Sequence, residues 1–338
     1  MTHHEVSWHR IMMSTTVGAA VVHGPHDARR DLAAAYAGSD DPTTIQQMEP
    51  RRVKVADGVE LAVDVWTPAL LPAQDIAPPF VLVHGLASNA RMWDGVAHAL
   101  VVAGHPVFTV DLRGHGRSSK PDGPYDVPTV AHDLAVLIDG LGPEGVLRPI
   151  VAGQSWGGNV AIELAARRPD LIGGIVCVDG GWLELSREFT DWQACLAALA
   201  PPRLAGRRLD EVEGYIRSVH PDWPETGIRG VLANFERLPG GRIAPWLTFD
   251  RHIEVLRGVW EHRPSELYAG IPVPVLLVPA DGGDADRTQR QRARVDAAAA
   301  AIPNARVRWL AGDHDIHAQC PDELASVVLG AATDGFFA

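Results

Sequence analysis

Ser155 stands at the centre of Ile150-Val151-Ala152-Gly153-Gln154-Ser155-Trp156-Gly157-Gly158-Asn159, where an apolar run meets a G-x-S-x-G pentapeptide and then a helix-like pattern. A strand, a sharp turn and a helix within ten residues would hold one hydroxyl out above a sheet. Glycine at positions 153 and 157 removes the Cβ atoms that such a turn would bring against backbone. A serine hydroxyl is a weak nucleophile unless a neighbouring base takes its proton, and that base needs an acid to fix its tautomer. Downstream, Ala311-Gly312-Asp313-His314-Asp315-Ile316-His317 follows the last strand-like run, and a loop there can bring an imidazole over the serine. His314 is the base candidate, with His317 its rival three residues on.

The elements that must position these groups alternate. Arg51–Val55 and Glu60–Trp66 are joined through Asp57-Gly58 and read as an antiparallel entry hairpin. Pro79–Val83 is continuously apolar, ends in His84-Gly85-Leu86 and precedes a helix pattern near Trp93–Ala103. The unit recurs at Pro106–Val110, ending in the loop from Asp111 to Ser118, then at Pro149–Gly153 around the serine, and at Gly173–Val178, ending in Asp179-Gly180-Gly181. Strands apolar throughout and alternating with helices imply an α/β fold, a mostly parallel sheet covered on both faces, with ligands at the carboxyl ends of the strands.

From Trp182 to about Pro264 the alternation gives way to helix-like segments broken by prolines. A strand returns at Val273–Val278, followed by a helix near Arg287–Ala301, a strand at Ala305–Leu310 and a last helix from Pro321. The expected organisation is an arm over residues 1–50 with a helical stretch near Asp27–Ala37, a core over 51–181 and 265–338, and a helical lid over 182–264, inserted after the sixth strand. Five of the ten tryptophans fall in the lid. Trp182, Trp192 and Trp246 are the candidates there for an aromatic roof over a substrate, beside the simpler role of packing a small helical unit.

A formal charge of −12 without a basic stripe argues against nucleic acid or an anionic membrane as partner and for a neutral or weakly polar small molecule. Cys177, Cys195 and Cys320 are too widely spaced for a disulfide framework or a metal site, which points to a reducing, cytoplasmic setting and to no metal or cofactor. The apolar stretch from Ile11 to Val22 is interrupted by Ser14-Thr15-Thr16 and lacks a following cleavage pattern, so no signal peptide is expected. The arm is open to roles in packing, capping a site or forming a homodimer.

Taken in order, His84-Gly85, the Asp111–Ser118 loop, the serine turn, the insertion and the terminal histidine loop resemble the α/β-hydrolase fold superfamily, from about Arg51 to the C-terminus. The resemblance implies that Ser155 is the nucleophile and His314 the base, since the family's histidine also stands seven residues before a proline, here Pro321. It further implies that the backbone N–H groups of Leu86 and Trp156 form an oxyanion hole; Asp111 and Arg113 read as loop anchors rather than catalysts. The acid has three candidates. Most members place it after the penultimate strand, where Asp281 and Asp284 both miss the usual position; zearalenone-lactonase-like and haloalkane-dehalogenase-like members place it one strand earlier, at the position of Asp179. Serine at the turn implies hydrolysis of a carboxylic ester or lactone through an acyl-enzyme. The alternatives are a C–C bond hydrolase using the same residues and a ligand-binding member without catalysis.

Overall fold

The computed structural model describes residues 45–69, 77–141, 148–283 and 285–338. Most of the arm, including Asp27–Ala37, lies outside them, as does Asp284. The hairpin expected at Asp57-Gly58 joins strands β1 (Ile45–Ala56) and β2 (Val59–Pro68). Next come β3 (Phe80–Val83), helix α1 (Asp94–Val102), β4 (Val107–Asp111), α2 (Val127–Leu141), β5 (Ile150–Gln154), α3 (Trp156–Arg167) and β6 (Gly174–Val178). These strands belong to an eight-stranded sheet in which β1–β2 and β2–β4 pair antiparallel, while β4–β3, β3–β5 and β5–β6 pair parallel.

Because side chains alternate across a strand, the apolar runs feed both faces of this sheet. Val81, Val83, Val151, Ile175 and Cys177 pack on one side with Val130 and Leu134 of α2 and Val160 of α3. Phe80, Leu82, Ile150, Ala152 and Val176 pack on the other with Val96 and Leu100 of α1. The twin burial explains why these strands read as continuous rather than alternating hydrophobic runs.

The segment after β6 is not purely helical. It contains α4 (Leu185–Glu188), α5 (Trp192–Leu199), α6 (Leu209–Val219), α7 (Glu225–Leu232), a hairpin of β7 (Phe235–Leu238) and β8 (Arg242–Pro245), and α8 (Phe249–Glu261). Pro224 caps α7, and Pro239 begins the turn between β7 and β8, so the prolines punctuate real boundaries. Val212, Ile216, Trp223, Ile228, Val231 and Ile243 form a small core of their own, which rests on Met92 and Ala318 of the sheet body.

The sheet resumes with β9 (Val275–Val278), paired parallel to β6, followed by the short β10 (Ala280–Asp281), helix α9 (Ala285–Ala301), β11 (Ala305–Val307) and β12 (Leu310–Ala311). Helices α10 (Ile316–Gln319) and α11 (Pro321–Thr333) close the chain. The β10–β12 pair prolongs the sheet edge and delivers the histidine loop. Among the described residues no helix is long and apolar enough to cross a membrane.

One side chain clasps both stems of the insertion. Asn159, fully buried on α3, accepts from the N–H groups of Gly181 (3.1 Å) and Leu183 (3.3 Å), and its amide donates to Leu183 O (2.7 Å) and His262 Nδ1 (3.1 Å). The far nitrogen of His262 meets Glu163 at 3.1 Å. Truncating Asn159 leaves several buried polar groups without partners, each a desolvation cost. Asn159→Ala is expected to lower unfolding stability by at least about 2 kcal/mol in denaturant titration and to speed proteolysis within residues 182–264. An unchanged midpoint and cleavage rate would contradict the clasp.

Candidate active site

Ser155 joins β5 to α3 with φ +53° and ψ −121°, a conformation that a side-chain-bearing residue holds only where its surroundings over-determine it. They do so here: Ser155 N–H donates to Val178 O at 2.9 Å, and its carbonyl accepts from Gly158 N–H at 2.9 Å. A Cβ on Gly157 would lie 2.6 Å from the carbonyl oxygen of His84, and one on Gly153 would run into the Gly157 carbonyl. The two glycines are therefore steric requirements of the turn.

His314 follows β12 and turns its Nδ1 to Asp179 Oδ2 at 2.6 Å. Asp179 is 4% exposed, and its other oxygen accepts from Ala280 N–H at 3.0 Å and from the side-chain amide of Gln291 on α9. A carboxylate only accepts, so Nδ1 carries the proton and Nε2 is the basic nitrogen of the ring. The main chain of the same loop is fixed from beneath, as Gln154 Nε2 donates to His314 O at 3.0 Å. Gln154 immediately precedes the serine, so one residue ties the strand of Ser155 to the loop of His314.

Of the alternatives weighed from sequence, Asp281 accepts from Thr288 Oγ1 (3.0 Å) and Gly283 N–H (3.2 Å) and approaches Arg292, so it anchors its own turn. His317 is fully buried against Trp93, with ring centroids 4.6 Å apart. Neither of its ring nitrogens has a hydrogen-bond partner among the described residues, and burial pushes it down to about 3. It does not line the cavity described below.

Leu86 and Trp156 both line that cavity beside Ser155. Trp156 begins α3, where first-turn N–H groups have no intrahelical acceptor. The Leu86 loop is held by two buried imidazoles. His84 Nε2 accepts from Leu112 N–H at 3.0 Å, and His115 Nε2 accepts from Ala87 N–H at 3.3 Å while its ring stacks on Trp156, centroids 5.4 Å apart. Burial lowers His84 to about 4 and His115 to about 3, so both remain neutral acceptors near neutral pH. Asp111 and Arg113 are loop anchors, as read: Asp111 accepts from Ala90 and Arg117 N–H groups, and Arg113 pairs with Asp133.

The cavity measures about 530 Å³ and lies between the serine turn and the insertion. Its insertion side includes Leu183, Leu199, Trp223, Trp246, Phe249 and Val259. Trp246 lines the cavity. Trp182 and Trp192 do not: Trp182 is buried in the main core with Leu185 and Tyr268, and Trp192 packs on Trp260 between α5 and α8. Joining an inserted unit to a sheet takes large apolar side chains, and these two are used for that. Trp223 does both, lining the cavity and donating its indole N–H to Asp313 Oδ2 at 3.3 Å, beside His314. Gln154, Gln291, His115 and Asn159 were not singled out from sequence for these roles; only Gln154, inside the pentapeptide, carried a local signal. Among the described residues no cluster of three or more His, Cys, Asp or Glu could hold a metal ion.

A family model described as the alpha/beta hydrolase family matches residues 80–327. An esterase of Mycobacterium tuberculosis is 41% identical over 104 residues, which cover 30% of this chain and 33% of that protein. The matches to the first curated relatives thus span about a third of their length or less. A 2-(acetamidomethylene)succinate hydrolase of Mesorhizobium japonicum is 28% identical over 262 residues, 72% of this chain and 84% of that protein. Among solved structures, an E-2-(acetamidomethylene)succinate hydrolase superposes with TM-score 0.67 at 22% identity, covering 84% of this chain and 98% of that one. The Mycobacterium tuberculosis esterase superposes with TM-score 0.61 at 27% identity, covering 92% and 100%.

The buried imidazoles make stability depend on pH. His84, His115, His252 and His317 are held at about 4, 3, 3 and 3, against 6.5 when unfolded, so below pH 6.5 the unfolded chain binds protons that the folded chain refuses. Asp94 and Asp315, raised by burial to about 6, act in the opposite sense but are fewer. The melting temperature is expected to fall between pH 7 and pH 5. His317→Phe should make that fall shallower, because it removes one group that must stay neutral; equal slopes for the two proteins would refute the assignment.

Proposed function

This chain belongs to the α/β-hydrolase family, and we propose that it is a hydrolase that cleaves a carboxylic ester or lactone of a medium-sized, mostly apolar small molecule through an acyl-enzyme. Ser155 is the nucleophile, His314 the general base, Asp179 the acid, and the N–H groups of Leu86 and Trp156 the oxyanion hole. The observation that carries this reading is the 2.6 Å contact of His314 Nδ1 with Asp179 Oδ2, in a loop that shares one cavity with Ser155.

In this mechanism His314 Nε2 takes the Ser155 proton as Oγ attacks the carbonyl carbon. The negative charge on the tetrahedral oxygen is stabilised by the two N–H groups, each worth on the order of 3 kcal/mol. Imidazolium formation is favoured by the Asp179 carboxylate, which the hydrogen bonds from Ala280 and Gln291 hold in place. His314 then returns the proton to the departing alkoxide, and a water molecule repeats the sequence on the acyl-enzyme. The inserted residues 182–264 act as a lid, whose Trp246, Trp223 and Phe249 meet the apolar part of the substrate and shield the acyl-enzyme. The similarity to a mycobacterial esterase supports ester chemistry.

With p-nitrophenyl butyrate, Ser155→Ala should lower kcat/KM by roughly a thousandfold or more and abolish labelling by an organophosphonate. Asp179→Asn should lose roughly a thousandfold or more, whereas Asp281→Asn should stay within a few-fold of wild type. Equal, near-wild-type rates for the two aspartate variants would sink the triad. Cleavage of a vinylogous diketone without ester turnover would instead indicate C–C bond hydrolysis.

A further inference from the structure

The cavity wall beside His314 carries polar groups that the hydrolytic mechanism does not use. Asp315 follows the proposed base and occupies the N-cap position of α10, where an aspartate side chain ordinarily accepts from the first-turn N–H groups. It makes no such bond. Its backbone carbonyl accepts from Ala318 N–H (2.8 Å) and Gln319 N–H (3.0 Å), while its side chain lines the cavity with no hydrogen-bond donor among the described residues. The same cavity is lined by His220, 7% exposed, ring against Trp223 at 4.0 Å, with Nδ1 buried and unpartnered. Ser88, two residues after Leu86, also lines the cavity, and its Oγ is buried without a partner.

A protein rarely leaves buried polar atoms unpaired, because each costs its full desolvation penalty. Two of them, His220 Nδ1 and Ser88 Oγ, line one otherwise largely apolar cavity, and the uncapped Asp315 carboxylate joins them from a third segment. Burial and the neighbouring Asp313 and Asp179 raise the Asp315 carboxyl to about 6, and burial lowers His220, so both groups stand in surroundings that disfavour charge. Arg203, which lines the cavity with its guanidinium 3.9 Å over the Phe249 ring, disfavours a cationic ligand. A neutral group able to donate and accept at once suits this wall, and a hydroxyl does both.

Resting on the ester-hydrolase reading above, we propose that Asp315, His220 and Ser88 form a hydroxyl-binding subsite beside the reacting centre, so that the preferred substrate is a hydroxylated ester or lactone. The hydroxyl donates its one proton to the Asp315 carboxylate and accepts from the Nδ1–H of His220. A ligand that lacks it leaves these groups unpaired, which is the arrangement that discriminates most strongly between a hydroxylated compound and its plain analogue.

The test separates binding from turnover. In the full chain carrying Ser155→Ala, calorimetry would compare methyl octanoate with its isomers bearing one hydroxyl at C3, C4, C5 or C6, and with the corresponding amines. At least one hydroxylated isomer should bind tenfold or more tighter than the plain ester. Asp315→Ala and His220→Phe, each added separately, should cut that advantage to twofold or less. The ratio of affinities is read rather than either affinity, and two independent variants guard against one that misfolds. The proposal is overturned if the plain ester binds as well as every hydroxylated isomer, if only the amines gain, or if the advantage survives both substitutions. Failure of the wild-type protein to hydrolyse any of these esters would count against the ester-hydrolase reading, while the binding ratios speak to the subsite alone.

Discussion

A serine held at φ +53° can persist only where backbone crowds it from every side, and much of this structure supplies that crowding. Parallel strands β3 and β6 flank β5, so the carbonyl of His84 and the 180–181 turn close on the elbow from both sides. The Leu86 loop lies where it does because His84 and His115 tie it to the loop that follows β4. Gln154 reaches from the same elbow to the carbonyl of His314. Removing the strain would release the hydroxyl and slacken the neighbouring loops together.

Sheet register explains why three aspartates competed for one role. Strands β6 and β9 are parallel neighbours with Val178 opposite Val278, so the residues after each strand emerge side by side at the carboxyl edge. A carboxylate at either exit comes within reach of the histidine loop that the β10–β12 pair brings to the same edge. Hydrogen bonding separates them. Asp281 is held by Thr288 and Gly283 in its own turn, whereas Asp179 accepts from Ala280, from Gln291 and from His314.

The insertion is joined to the core in two ways that differ in kind. Asn159 grips both of its stems through directional, buried hydrogen bonds, while Met92 and Ala318 give its small core an apolar footing. The tryptophans divide along the same line. Trp182 and Trp192 cement the join, Trp246 faces the cavity, and Trp223 spans the two by lining the cavity while its indole holds Asp313.

What the sequence by itself determined is what short-range sterics and periodicity determine. Gly153 and Gly157 announce a turn too tight for Cβ atoms, the buried strands announce themselves as unbroken apolar runs, and Asp57-Gly58 announces a hairpin. Ser155 and the His314 loop were legible because each sits at a local boundary between strand and loop. Tertiary structure alone decided which aspartate meets His314, which tryptophans see the cavity, and that Gln291 and Asn159 matter at all. Those outcomes depend on strand register and on partners far apart in the chain, 112 positions for Gln291 and Asp179 and 103 for Asn159 and His262. Residue type is the same for a tryptophan that packs and one that lines a cavity, and only the folded surroundings tell them apart.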